Sequence, residues 1–285
     1  MPSANHFRTK KAMKTTMNGI AAPEKPLLEI RDVSKTFMKD GKEFLVLERV
    51  NLSINEGEFV CILGPTGCGK SVTLQIVAGL LEQSSGSVIL DGKEEHGPGP
   101  HKGMVFQEYA LLPWRTVVEN VEIGLELKGI SKKERRRIAE EQLDLVGLKG
   151  AESRMVHEIS GGMRQRAAIA RALANRPKIL LMDEPFEALD ALTKEEMQIQ
   201  ILKAWEKTKT TIFFVTHDVD EAIFLSDKLC VMDINPGRVK KIITNTLPRP
   251  RHELVCRTDK AFCEMRDQII QLYSSLKDEE LDLVF

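Results

Sequence analysis

The stretch GPTGCGKSV, residues 64–72, packs three glycines, a lysine and a serine directly behind the apolar run EFVCIL. Gly64, Gly69, Lys70 and Ser71 fit G-x-x-x-x-G-K-[ST], a loop that holds phosphate when a strand precedes it and a helix follows. The chemistry accounts for the composition. Across Pro65, Thr66, Gly67 and Cys68 the backbone must curl so that the N–H groups from Thr66 onward, Pro65 having none, face one point, an anion nest. The helix start adds partial positive charge. Lys70 can reach the terminal phosphates as a mobile cation, and Ser71 can offer an oxygen to Mg²⁺. Val72 keeps its N–H for the nest but lacks a hydroxyl, so one neutral contact of about 0.5–1.5 kcal/mol is missing.

Further groups could complete such a site. KILLMDEP (178–185) ends an apolar run in Asp183 and Glu184. A carboxylate at a strand end can hold Mg²⁺ through water, the role read for Asp183. Glu184 is then placed to orient or deprotonate an attacking water. As an isolated pair the two read equally as a helix cap before Pro185. His217, after TIFFVT, could donate to a γ-phosphate or to that water; alone it reads as a capping or core histidine. Gln107, closing KGMVFQ, could bridge Mg²⁺ and the water. Ser160, Gly161 and Gly162 in ISGGM open a second helix with free N–H groups and a hydroxyl suited to phosphate. By itself that segment is an ordinary N-cap.

These residues need elements to carry them. LLEIRDVSKTF (27–37) and VLERVNLSI (46–54) alternate like strands around a KDGKE turn, which predicts an antiparallel hairpin. EFVCIL (58–63), KILLMDEP, TIFFVTHD (211–218) and LCVMD (229–233) are short apolar runs, and GSVILDG (86–92) and KGMVFQ (102–107) are further strands. Both-faced apolarity of this kind marks a buried parallel sheet. KSVTLQIVAGL, MRQRAAIARALAN and residues 193–208 and 260–277 read as helices. Strands alternating with helices predict an α/β fold: a P-loop NTPase core with an antiparallel β subdomain and an α-helical subdomain inserted at 108–172.

Composition narrows the class. With 285 residues, 42% apolar and 29% charged, the chain can bury a sizeable core. A net charge of −1 exerts no global pull toward nucleic acid or lipid. SKKERRRIAEEQLDLVGL holds the dense basic run, but Arg136 and Arg137 each have a glutamate four residues on, Glu140 and Glu141, which suits a solvated helix face. No apolar run reaches the roughly 18 residues of a membrane span, so a membrane role is expected to come through a partner. The five cysteines lack metal or CxxC spacing, which predicts reduced thiols. The polar first 26 residues lack the apolar segment of a secretory signal and read as a loose tail.

Taken together, GPTGCGKS, VFQ, ISGGM, LLMDEP, ALD and the histidine of VTHD resemble, in order and spacing, the ATP-binding cassette family across residues 27–250. The resemblance implies an ATPase using ATP and Mg²⁺, in which two copies close head-to-tail on two ATP molecules. Ser160, Gly161 and Gly162 would act across that dimer, and Asp190 would communicate between its two sites. Phe37 would stack on adenine, Gln107 would be the Q-loop residue and His217 the switch histidine. The remaining residues 251–285 would form a C-terminal helical extension. The phrases VFQEYALLPWRTVVENV, DEPFEALDALT and HDVDEAIFLSD, and NPGRV followed by LPRPR, are similar to one branch: importer ATPases for nitrate, sulfonates, taurine or bicarbonate.

That branch implies transmembrane permease subunits, a solute-binding protein acting indirectly from outside, no nucleic acid, and a peripheral position at the cytoplasmic face of the membrane. Trp114 in ALLPWRTVVENV is the candidate permease contact; packing within the helical insertion is its alternative. Departures from the family pattern are Ile159 and Met163 in the signature, Val72, and Glu187, which stands where the branch more often has glycine. Glu187 adds negative charge near the expected dimer seam, which predicts slower closure. A soluble non-transport ABC ATPase is the alternative function; a P-loop kinase is disfavoured by ISGGM and Glu184.

Overall fold

The computed structural model describes residues 25–251 and 254–281. The tail read at 1–26 therefore lies almost wholly outside the described residues. Two sheets form. In the first, β1 (Leu28–Lys39), β2 (Lys42–Ile54), β4 (Ser85–Leu90) and β5 (Lys93–Glu94) run antiparallel in the order β2-β1-β4-β5. The β1–β2 connection is two residues, Asp40 and Gly41, both at positive φ (51° and 74°). That is the geometry a twisted hairpin needs, and Asp-Gly supplies it at least steric cost.

The second sheet holds β3 (Phe59–Leu63), β6 (Lys102–Val105), β7 (Ile179–Asp183), β8 (Thr211–Thr216), β9 (Lys228–Asp233) and β10 (Arg238–Thr244), in the order β10-β9-β3-β8-β7-β6. Every pairing is parallel except β10 with β9. Alternation along β3 feeds two cores on opposite faces. Phe59, Cys61 and Leu63 join one cluster, and Val60 and Ile62 join the other. Fully apolar strands are the consequence of that double burial. Here the antiparallel sheet, the parallel P-loop core and the helical block expected from sequence are all present.

Helices α1 (Lys70–Ala78), α2 (Val117–Leu127), α3 (Lys132–Leu145), α4 (Gly161–Ala174), α5 (Ala191–Thr208), α6 (Val219–Leu225) and α7 (Lys260–Leu281) complete the chain. Of the elements longer than five residues, two were not read from sequence. Helix α6 has seven residues, too few to display a period, and owes its start to Asp218, whose carboxylate accepts from the Glu221 N–H. Strand β10 is an exposed edge carrying Arg238, Lys240 and Lys241, so its apolar alternation is weak. A third difference concerns β6, which ends at Val105 and leaves Gln107 on the loop beyond it.

Ion pairs engage the basic run on α3. Arg135 and Arg136 both reach the buried Glu122 on α2, at 3.1 and 2.9 Å, and Arg137 pairs with Glu134 and Glu141. Arg136 thus crosses to a neighbouring helix where local spacing pointed to Glu140. The LPRPR stretch acts as a fastener. The Arg251 guanidinium is buried and donates to the carbonyls of Ile223, Phe224 and Ser226 at the end of α6 and to those of Leu247 and Pro248. Burial pulls its pKa down to about 10. Arg249 stacks 4.2 Å from the Trp205 ring centroid and donates to Asp227 at 2.7 Å.

Candidate active site

The phosphate loop is clasped on both sides. Gly69 caps α1 in the left-handed region (φ 89°), as does Gly67 within the loop (φ 89°). A Cβ at Gly69 would collide with Leu47 of β2, and one at Gly237 would collide with the Cys68 carbonyl. Glycine is therefore required for two reasons, backbone sign and close approach. Leu47 and Gly237 are themselves bridged: Glu48 N donates to Gly237 O at 2.9 Å and Gly237 N to Val46 O at 2.8 Å. Cys68 is buried beneath the loop, and burial raises its thiol pKa.

Lys70 is 5% exposed, and its Nζ donates to Gly64 O at 2.8 Å and Pro65 O at 3.0 Å. It lies 3.6 Å from Glu184 Oε1. The ammonium is thus held over the loop, where phosphate oxygens can take the place of those carbonyls. Ser71 Oγ donates to Asp183 Oδ1 at 2.8 Å, joining the start of α1 to the end of β7. Burial pushes the Asp183 carboxyl above its ordinary range, and the Glu184 charge adds to the shift against the Ser71 hydrogen bond. Ser71 and Asp183 offer oxygens at hydrogen-bond distance of each other, a set that suits a hard divalent cation such as Mg²⁺, and Gln107 lines the same cleft as Ser71.

Glu184 follows the strand with φ 41°, an uncommon conformation for a side-chain-bearing residue, fixed by its N–H to Val215 O at 3.1 Å. His217 Nδ1 lies 3.0 Å from Glu184 Oε2. Gln107 donates through Nε2 to the Glu187 carboxylate. Glu184, Glu187 and His217 each place a ligand-type atom within 4.8 Å of the others. A cleft of about 380 Å³ is lined by Lys70, Ser71, Val72, Gln107, Glu184 and Glu187, with Val46 beside the glycines. Val46 was missed from sequence. It sits at a β-bulge where Thr36 pairs with Leu45 and Lys35 with Leu47, and bulges leave no clear compositional trace.

Five expected contributors lie elsewhere. Phe37, on β1, is 37% exposed opposite Phe44, with Lys35 Nζ 5.0 Å from its ring, and does not line the cleft. Ser160 caps α4, accepting from Met163 N at 3.3 Å, and with Gly162 lines a separate cleft of about 370 Å³ beside Thr193. Gly161 lies near the Tyr109 hydroxyl. Asp190 caps α5, accepting from Thr193 N at 3.0 Å; hydrogen bonds from the Thr193 side chain and then from that N–H hold its carboxyl below the ordinary range. One chain therefore carries a phosphate loop and a second helix-end donor in different clefts.

Two departures carry predictions. Val72 lines the cleft as a half-buried apolar side chain. Val72→Thr should tighten ATP binding about twofold to tenfold by restoring one neutral hydrogen bond, read by nucleotide titration; unchanged affinity would show the hydroxyl is irrelevant. Glu187→Gly should raise the ATPase rate about threefold to tenfold, because it removes an anion facing a triphosphate and releases the Gln107 amide. A steady-state rate equal to that of the parent protein would refute this.

Comparison with known proteins agrees with the geometry. A family model described as ABC transporter matches residues 47–187. MJ0412 of Methanocaldococcus jannaschii, described as an uncharacterized ABC transporter ATP-binding protein, is 50% identical, covering 89% of this chain and 92% of that protein. The bicarbonate transport ATP-binding protein CmpD of Synechococcus elongatus is 43% identical over 90% of this chain and 93% of its own length. The aliphatic sulfonates import ATP-binding protein SsuB of Bacillus cereus is 44% identical over 86% and 95%. A solved dimer of the ATP-binding cassette MJ0796 in a post-hydrolysis state with ADP and Pi has a TM-score of 0.69 at 34% identity, covering 78% of this chain and all of that one. This chain belongs to the ABC transporter family, as an ATP-hydrolysing subunit.

Proposed function

We propose that this ATPase energises uptake of a small anion, of the bicarbonate, sulfonate, nitrate or taurine type, through a separate membrane permease. The observation that carries the mechanism is the separation of Ser160 from the phosphate loop on one chain. Two copies arranged head-to-tail bring each signature helix end onto the other's triphosphate, as the dimeric neighbour structures support. Lys70 and the loop N–H groups hold the β- and γ-phosphates, and Ser71, Asp183 and Gln107 would hold Mg²⁺, which would neutralise charge on the triphosphate. Glu184 takes the proton of the attacking water, and His217 holds Glu184 at 3.0 Å. The Ser160 hydroxyl and the N–H groups of Gly161 and Gly162 stabilise charge as it develops on the γ-phosphoryl. Asp190, capping α5 beside Thr193, links the two sites, and Phe37 is the adenine platform. The names of the CmpD and SsuB relatives support bicarbonate and sulfonate, and recognition of the anion falls to the permease and an extracytoplasmic solute-binding protein.

No helix among the described residues is long and apolar enough to cross a membrane. A groove of about 550 Å³ between β6, α2 and α4, lined by Phe106, Ala110, Ile123 and Leu127, supports permease docking and a peripheral place at the cytoplasmic face. Trp114 is 71% and Leu127 84% exposed, which no internal packing explains. The test is co-purification with the permease from detergent, followed by uptake of labelled anions. Trp114→Ala and Leu127→Glu should lose the permease at least about tenfold more readily and retain ATP binding; normal assembly in both would exclude this surface.

A further inference from the structure

Glu221 is 3% exposed, at the first turn of α6, and uses its carboxylate in a buried network that the hydrolytic chemistry does not require. One oxygen accepts from the Thr216 hydroxyl, and the other accepts from Gln198 Nε2 at 2.8 Å, with Lys194 Nζ at 3.6 Å. Thr216 Oγ1 in turn accepts from the Asp218 N–H at 3.0 Å. A single hydroxyl therefore spans the peptide on either side of His217. Asp218 is further held by Lys194 Nζ at 2.8 Å. From the other end, Arg257 donates to Gln198 Oε1. Arg257 belongs to the C-terminal segment, a 3₁₀ turn at Leu254–Thr258 that leads into α7. Its guanidinium lies 4.6 Å from the Phe224 ring centroid and 3.9 Å from Glu195.

The direction of these bonds is fixed by chemistry. Arginine and a backbone N–H can only donate, so the amide that accepts from Arg257 and the hydroxyl that accepts from the Asp218 N–H each have one orientation. Gln198 must turn its carbonyl to Arg257 and its NH₂ to Glu221. Thr216 must then donate to Glu221 and accept from Asp218. The segment is also anchored independently: Arg266 of α7 grips Asp220 with two bonds of 2.6 and 2.9 Å, and Phe262 and Ile269 are fully buried. A rigid mount at one end and a satisfied buried network at the other is how a distant side chain can hold a site residue in place.

We propose that Arg257 is a positioning residue for His217, so that the C-terminal segment sets the orientation of the switch histidine through Gln198, Glu221 and Thr216. The proposal rests on the role of His217 given above. It makes the C-terminal segment an input to hydrolysis in addition to a structural strap. α5, which begins at the Asp190 cap, carries both Lys194 and Gln198, so the same network reaches the element that follows the dimer-communication residue.

The test uses the full chain. Arg257→Met keeps apolar cover over Phe224 and removes every donor, and Arg257→Lys restores one. The expected result is a kcat about threefold to tenfold lower for Arg257→Met, with KM for ATP unchanged, and recovery in Arg257→Lys. In a His217→Ala background, Arg257→Met should have no further effect, because its route to the chemistry is already cut. Additive losses in the double variant, or an Arg257→Met kcat equal to that of the parent while His217→Ala is slow, would overturn the proposal and leave the His217 assignment standing. A His217→Ala protein of normal kcat would overturn both. Thermal melts of each variant separate loss of fold from loss of position.

Discussion

Replacing Glu184 by glutamine should lower steady-state hydrolysis by at least about a hundredfold, the lower end of what a positioned general base contributes. The shape of the side chain survives. What is lost is an oxygen able to take a proton from water. Glu184 leaves β7 at φ 41°, so its carboxylate is directed by the backbone, while Lys70 at 3.6 Å and His217 at 3.0 Å steady the two oxygens. Glutamine also removes one negative charge from a cleft that already holds Asp183 and Glu187, so ATP should bind at least as well. The variant should accumulate as an ATP-bound dimer on gel filtration, and the parent protein under the same conditions should show less of it. A fall in rate of less than about threefold would remove Glu184 from the base role.

Ser160→Asp is the second large effect, and it is chosen to spare the fold. Aspartate is as good an N-cap as serine, and a negative charge at the start of α4 favours the helix. The melting temperature should therefore change little. A carboxylate at that helix end opposes a triphosphate, and the rate should fall by about two orders of magnitude, comparable to losing a developing-charge donor. The decisive measurement mixes two inactive proteins. A Lys70→Ala chain supplies an intact Ser160, and a Ser160→Asp chain supplies an intact phosphate loop. Head-to-tail pairing creates one complete site per mixed dimer, so activity should return on mixing. No recovery, with dimer formation verified, would mean that Ser160 does not act on the partner's nucleotide.

How much of this was legible beforehand depends on the range of the interactions. The phosphate loop was readable because its demands are local: positive φ at Gly67 and Gly69, a strand before and a helix after. Buried strands were readable because both faces must be apolar. The cap at Ser160 was readable because the bonding N–H lies three residues on; Asp190 caps α5 in the same way, a role not read from its sequence. Helix α6 and strand β10 were not, since seven residues show little period and an exposed edge shows little alternation.

Residue types thus pointed to the chemistry proposed: a nest for phosphate, oxygens for a divalent cation, a carboxylate for water. Which of them meet was decided by strand order. Ser71 touches Asp183 across 112 residues of sequence, and Glu184 touches His217 across 33, because β3, β8 and β7 lie side by side with parallel ends. The same packing set Gln107 against Glu187 across 80 residues and linked Arg257 through Gln198 and Glu221 to Thr216 at the end of β8. It also kept Ser160 in a cleft of its own. Local patterns follow from each residue's immediate neighbours along the chain, whereas these encounters depend on how separately buried apolar faces stack, which no short window of sequence contains.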